Sequence, residues 1–345
     1  MLTKDDSKMM QGIAILAMVA LHLFCRKVDL PYHTHLQFGE YPAIYFIGLF
    51  GDICVPIYCF VSGYAQQLLS DREGKAYCRN RFRRLWKFIG HFWLILLIFS
   101  LIGLITGDSN IPGSISKFLG NFFLFELSYN GAWWFVLTYV FLVILSPAIV
   151  WIAKKTNPWL LALVSSAIYA VCFVLFFNYE STVGIAAIDW MLHQVLLFGR
   201  SLFPFVIGLL FCKCEIFEKL KHLFVRRWIK NCVIVLLPLI LFLVHAVVQS
   251  LIVAPVTALG CIICFYLWEK PRWVKKTFLF FGKHSTNIWL VHMFFYMVLF
   301  ENLVFMLREP LLIYIGMLAI CICVSYLINI VEDIVKYITR RIKRV

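Results

Sequence analysis

Charge is what this sequence has least of: Asp, Glu, Lys and Arg make up 14% of its 345 residues, against about 25% in an ordinary soluble domain. Acidic residues are scarcer still, 18 against 32 basic ones, for a formal net charge of +14. With 62% of the residues hydrophobic, a soluble core could not take in so much apolar surface. No low-complexity linker, polar domain or clear internal repeat interrupts the pattern, so residues 1–345 read as one membrane-embedded domain with no appended soluble module. The 12 cysteines lie mostly inside apolar runs, where Cys behaves as a small hydrophobe, and no disulfide framework is implied. Cys261 and Cys264 form a CxxC without a second pair, which does not make a metal site.

What the chain has is apolar length. A spanning helix needs roughly 20 mostly uncharged residues, and candidate runs are Met9 to Phe24, Pro42 to Leu69, Leu85 to Ile105, Trp133 to Ala153, Trp159 to Phe177, Leu196 to Cys212, Cys232 to Gln249, Ser250 to Trp268, Asn287 to Met306 and Leu311 to Ile330. The fold class expected is all-α, a polytopic integral membrane protein of about ten transmembrane helices. The seventh and eighth runs are continuous, and the polar His245, Gln249 and Ser250 near their middle predict a tight hairpin. Taking alternate connections as one side, 27 of the 32 Lys and Arg fall together, including Arg72 to Lys87 and Lys336 to Arg344. The positive-inside rule makes that side cytoplasmic, with both termini inside and Thr106, Ser181 and Arg308 outside. The same distribution ties the positive charge to the lipid bilayer and not to nucleic acid. No small-residue cleavage pattern follows Phe24, so the first run reads as a retained helix.

Titratable groups inside hydrocarbon are costly, and each is a candidate for function. His22 lies 13 residues into the first run, in its outer half, and Glu301 lies 14 residues into the ninth. Side chains at similar depth suggest a carboxylate that fixes the imidazole's tautomer. His292, five residues into the ninth run, and Ser62, near the inner end of the second, are expected closer to the cytoplasm; Ser62 has the alternative of bonding back to a carbonyl one turn earlier. Asp52 is expected near mid-membrane, with Pro56 loosening the helix after it. His91 and His245 have no evident partner and read as packing residues. The stretch FLGNFFLFEL, too short to span, is expected to lie along the outer interface or re-enter.

Five motifs fall in an order that resembles one family. QGIAILAMVALH at Gln11 to His22 resembles the first-helix signature of the membrane acyltransferase-3 family, which ends in its functional histidine. VPIYCFVSGY at Val55 to Tyr64 is similar to its second-helix motif, RFRRL at Arg81 to Leu85 to its Arg-x-x-Arg motif, and GAWWFVLTYV at Gly131 to Val140 to the aromatic start of a middle helix. GKHSTNIWLVH at Gly282 to His292 resembles the late motif ending in histidine.

The resemblance implies a single membrane-embedded acyltransferase domain. It would take an acyl group, commonly acetyl, from cytoplasmic acyl-CoA to an extracytoplasmic acceptor, often a sugar hydroxyl. Acyl-CoA is then a donor substrate; no resident cofactor or metal is implied. Because some relatives carry an added esterase-like domain, a separate transferase partner could complete the reaction. Joined with the titratable groups found inside the apolar runs, the resemblance leads us to expect His22 as base or acyl carrier with Glu301 as an orienting partner, Arg81 and Arg84 as phosphate ligands for the donor, and Ser62, Tyr64, Asp52 and His292 along the path. One position departs from the pattern: Gln11 stands where the family usually has Arg or Lys, and Lys8, one turn nearer the cytoplasm, could substitute. A transporter or flippase, or an inactive sensor or scaffold on the same fold, are the rival readings; a transporter would show paired halves with matching broken helices, and none is visible.

Overall fold

The computed structural model describes residues 1–178, 184–224 and 226–342; Ser181, and Lys343 and Arg344 of the basic tail, lie outside the described residues. Helix α1 (Lys4–Phe24) starts where Thr3 and Asp6 cap one another, each side chain accepting the other's backbone N–H. A short antiparallel ribbon follows, β1 (Gln37–Phe38) with β2 (Tyr41–Pro42), turning at Gly39 with φ +60°. This strand pair is an addition to the all-α expectation.

The second apolar run is not one helix. It divides into α2 (Ala43–Phe50), a 3-10 turn at Gly51–Ile53 and α3 (Cys54–Glu73). Pro56 supplies the reason: it has no N–H to give the carbonyl of Asp52, and its ring crowds that carbonyl. Gly74, with φ +51°, ends α3, and α4 (Tyr77–Thr106) follows. Helix α5 (Ile115–Phe122) takes in only the first half of the apolar stretch FLGNFFLFEL; Phe123 to Leu127 leave the helix before the aromatic motif.

Next come α6 (Trp134–Lys155), α7 (Pro158–Asn178), α8 (Ala186–Lys213), α9 (Ile216–Leu223) and α10 (Arg227–Val248). The chain reverses at Gln249 and Ser250, where the polar interruption predicts a hairpin, and continues as α11 (Ala254–Leu267). Helix α12 (Arg272–Met293) begins fifteen residues before the expected Asn287, passes into a π-helical turn at Phe294–Val298 and stops; α13 (Glu301–Phe305) and α14 (Pro310–Ile342) complete the chain. Lys275, Lys276 and Lys283 lie within α12, since long basic stems run along a helix while their heads reach water.

Among the described residues seven helical stretches are long and apolar enough to cross a membrane, so the protein is an all-α, multi-pass membrane protein. One stretch, Ala43–Thr106, has 64 residues and is split by Gly74; Leu251–Leu267 is a shorter apolar helix.

The chain forms two compact units. The first comprises Met1–Cys25, Tyr45–Phe82 and Val136–Lys283. Glycines set its closest helix crossings. A Cβ on Gly63 of α3 would collide with the Phe205 carbonyl of α8, and one on Gly208 of α8 with the Phe60 carbonyl of α3. Gly12 of α1 and Gly282 of α12 stand in the same relation to the carbonyls of Phe278 and Lys8. Where helices lack a solvent-driven hydrophobic force, such backbone approach supplies the packing energy. Val150, Ala153, Val206, Leu209 and Leu210 form an apolar cluster between α6 and α8.

The second unit comprises Arg26–Ile44, Arg83–Phe135 and His284–Val345. A polar network joins α4, α12 and α14 within it. His91 meets Asn287 Oδ1 through Nε2 at 2.5 Å and Glu332 Oε2 through Nδ1 at 3.2 Å. Asn287 donates to Ser325 Oγ at 2.7 Å, and His284 Nδ1 lies 2.8 Å from the same hydroxyl. His91 is thus no simple packing residue, because its partners come from helices distant in sequence.

Outside the apolar segments, Glu309 is clasped by His33 at 2.9 Å and His35 at 2.8 Å. These hydrogen bonds hold its carboxyl below the usual 4.5. A depressed carboxyl contributes stability above its unfolded pKa and loses it as pH falls through the folded value. Hydrogen exchange at Tyr32 to His35, corrected for intrinsic rates, should therefore quicken below pH 4.5. Glu309→Gln should show that faster exchange already at neutral pH.

Candidate active site

In the first unit, His22 stands in the last turn of α1. It shares one face with Gln11, Ile15 and Met18, of which Ile15 and Met18 are buried, and the interval from position 11 to 22 covers about 16 Å. Because α1 starts at Lys4 and not Met9, His22 is eighteen residues from its beginning. Lys8 and Gln11 are half-buried at the other end of that face, and the Gln11 carbonyl accepts a 3.5 Å hydrogen bond from the Tyr58 hydroxyl of α3.

Helix α2 and the 3-10 turn wall the end of α1. Gly48 lies against the Phe24 and Cys25 backbone and Gly51 against Ala17 and Leu21, leaving no room for a Cβ at either. Asp52 follows directly. It is buried and paired with His245 of α10, Oδ2 to Nε2 at 3.1 Å, so His245 is not the partnerless packing residue its position suggests. Tertiary structure makes this pair across 193 positions, beyond the reach of any local pattern.

The Ser62-Gly63-Tyr64 motif divides its work. Gly63 sets the crossing with α8, and the Tyr64 hydroxyl accepts the Leu2 N–H at 2.9 Å. Ser62 Oγ is buried and has no hydrogen-bond partner among the described residues, so the back-bond open to a helical serine is not made. Arg81 is also buried, its Nη1 donating to the Ile144 carbonyl of α6 at 3.1 Å and its guanidinium 4.6 Å from the Phe82 ring. The Arg-x-x-Arg motif therefore lies on helix α4, not in a loop, and its two members are presented differently: Arg81 is packed away and Arg84 is exposed.

In the second unit two further motifs lock together. Trp133 and Asn130 both donate to the Leu290 carbonyl at 3.0 Å, and Trp289 returns a 3.1 Å bond to the Ala132 carbonyl. This fixes the last turn of α12, which carries His292. His292 is buried, its Nδ1 lies 2.8 Å from the Trp289 carbonyl and its ring stacks on Tyr296. A carbonyl only accepts, so Nδ1 carries the proton and a neutral ring keeps its lone pair on Nε2. His292 is twenty residues along α12, not near its start as the Asn287 boundary predicts. Glu301 is likewise moved: it does not continue that helix, but opens α13 beyond the π-helical turn and is exposed. The helical count that set it at the depth of His22 does not hold. The π-helical turn that begins two residues after His292 has no signal in the sequence, and such turns recur at functional sites.

Comparison with curated proteins and with solved structures found no match. A family model described as an acyltransferase domain matches residues 6–330, taking in all five motifs. With that match spanning nearly the whole chain, from the first turn of α1 into α14, this protein belongs to the acyltransferase-3 family of membrane acyltransferases.

Proposed function

We propose that this chain moves an acyl group, acetyl in the simplest case, from cytoplasmic acyl-CoA to a hydroxyl of an extracytoplasmic acceptor, a cell-surface glycan. The observation that carries the reading is the face of α1, which joins Lys8 and Gln11 at one end to His22 at the other. Ten spans with both termini in the cytoplasm fit this direction. Dividing Ala43–Thr106 at Gly74 and adding Leu251–Leu267 and α12 to the seven long apolar stretches makes ten. The 27 basic residues on one side then face the cytoplasm. A bacterial cytoplasmic membrane is the location this implies.

In this scheme exposed Arg84 takes the anionic end of the donor, and Arg81, anchored on α6, orders the helix that presents it. Ser62, buried with its hydroxyl unmatched, offers a hydrogen bond to the arm of the donor. His22 acts as general base on the acceptor hydroxyl or carries the acyl group itself. His292 is held in the tautomer that a base requires.

Purified protein supplied with radiolabelled acetyl-CoA and surface glycan should transfer label to the glycan, and His22→Ala should not. Absence of transfer by the wild type to any hydroxyl acceptor would sink the reading.

A further inference from the structure

The acyl transfer proposed above creates a proton problem. The acceptor hydroxyl oxygen bonds to the acyl carbon as the carbon–sulfur bond to CoA breaks. The hydroxyl must lose its proton on the outer side, while the departing thiolate gains one from cytoplasmic water. Something on the outer side must hold the lost proton until bulk water takes it.

The Asp52–His245 pair has the properties that this task demands. Both side chains are nearly inaccessible, 5% for Asp52 and 1% for His245. Burying such a pair is weak evidence for stability, because desolvation can cost as much as the attraction returns. Its bonding is also incomplete. His245 Nε2 sits between two acceptors, Asp52 Oδ2 at 3.1 Å and the Leu49 carbonyl at 3.2 Å, and it has one N–H to offer them. Among the described residues Nδ1 of His245 and both carboxylate oxygens of Asp52 lack a hydrogen bond, so the approach to Oδ2 is an ion-pair contact while the ring N–H goes to the Leu49 carbonyl. A structural clasp would have satisfied them.

Placement is the second observation. Asp52 lies in the break between α2 and α3, and Gly51 presses that break onto the Ala17–Leu21 turn of α1, directly before His22. The titratable groups near enough to feel the Asp52 charge are Cys54 in the first turn of α3 and Tyr169 of α7; Tyr169 in turn feels Arg200 of α8. Tyr169 is occupied by the Leu251 and Ile252 carbonyls, and Arg200 by the rings of Phe173, Phe176 and Phe177.

We infer that Asp52 and His245, held by Gly51 against the α1 turn that precedes His22, form a proton-holding pair that takes over the proton His22 removes from the acceptor hydroxyl and releases it to the outer water. They act through His22 and are positioning residues. The inference rests on the acyltransferase reading.

The test uses the purified full chain and measures label transfer across a pH series, together with thermal unfolding. Asp52→Asn and His245→Gln should each lower kcat by roughly 10-fold to 100-fold, at or below the low end of the ~10²- to 10⁴-fold that a direct acid–base group contributes, because they act through His22. KM for acyl-CoA should stay unchanged, and the acidic limb of the pH profile should move. The double variant should be no slower than the slower single one, since the two act as a unit. Variants that melt earlier yet keep the wild-type profile shape and kcat would assign the pair a structural role and overturn the proposal. So would a double variant whose loss is the product of the two singles. If the wild type itself transfers no label, the acyltransferase reading fails first; if it transfers normally and Asp52→Asn matches it, only the present inference falls.

Discussion

His22→Ala should lower acyl transfer by roughly 10²- to 10⁴-fold, the usual weight of a positioned general base. The fold should survive the change. The buried α1 contacts are made by residues such as Met10, Ala14, Ile15, Met18 and Val19, while His22 is only half-buried at the end of the helix. Loss of rate with an unchanged thermal melt would separate chemistry from folding. His22→Gln, which keeps polarity and size but cannot take a proton near neutral pH, should be as inactive as the alanine variant. If it retains most of the activity, hydrogen bonding is the role and the base assignment is wrong.

Gly208→Val should be among the most damaging single changes to the fold. Its Cβ would meet the Phe60 carbonyl, and Gly63 makes the reciprocal approach to Phe205 within the same crossing. Backbone cannot rotate aside as a side chain can, so α3 and α8 must separate. Overpacking of ordinary cores costs about 1–3 kcal/mol; a collision with main chain belongs at or above the top of that range. Proteins hold only about 5–15 kcal/mol in reserve. Extraction in mild detergent should therefore yield little monodisperse Gly208→Val protein by size-exclusion chromatography. Gly316→Val is the control, because a Cβ there meets nothing within 4 Å. Equal recovery of the two variants would remove the α3–α8 crossing from the account.

These effects differ in how far they can be read from sequence. Run length and charge asymmetry identify α1, α4, α6, α7 and α14 as apolar helices, since lipid demands long uncharged segments whatever the tertiary fold. The hairpin at Gln249 and Ser250 is legible because polar side chains interrupt an apolar run too long for one crossing. The start of α12 is not, because Lys275, Lys276, Lys283 and His284 resemble a loop until their stems are seen along a helix. That boundary displaces His292, and the end of the helix after the π-helical turn displaces Glu301. The break at Asp52 has its cause in Pro56, four residues on, but only the folded chain shows that it pairs with His245. Glycines at 12, 63, 208 and 282 carry no sequence signal of which carbonyl each one faces.

In the proposed function the acyl group enters from the cytoplasmic face and leaves on the outer one, by way of His22. Right-side-out membrane vesicles loaded internally with labelled acetyl-CoA measure it directly. Label should appear on glycan outside the sealed vesicle, and none should appear when the labelled acetyl-CoA is supplied only outside or when His22 is Ala. Label passing from acetyl-CoA to a hydroxyl acceptor on the same face would contradict the account.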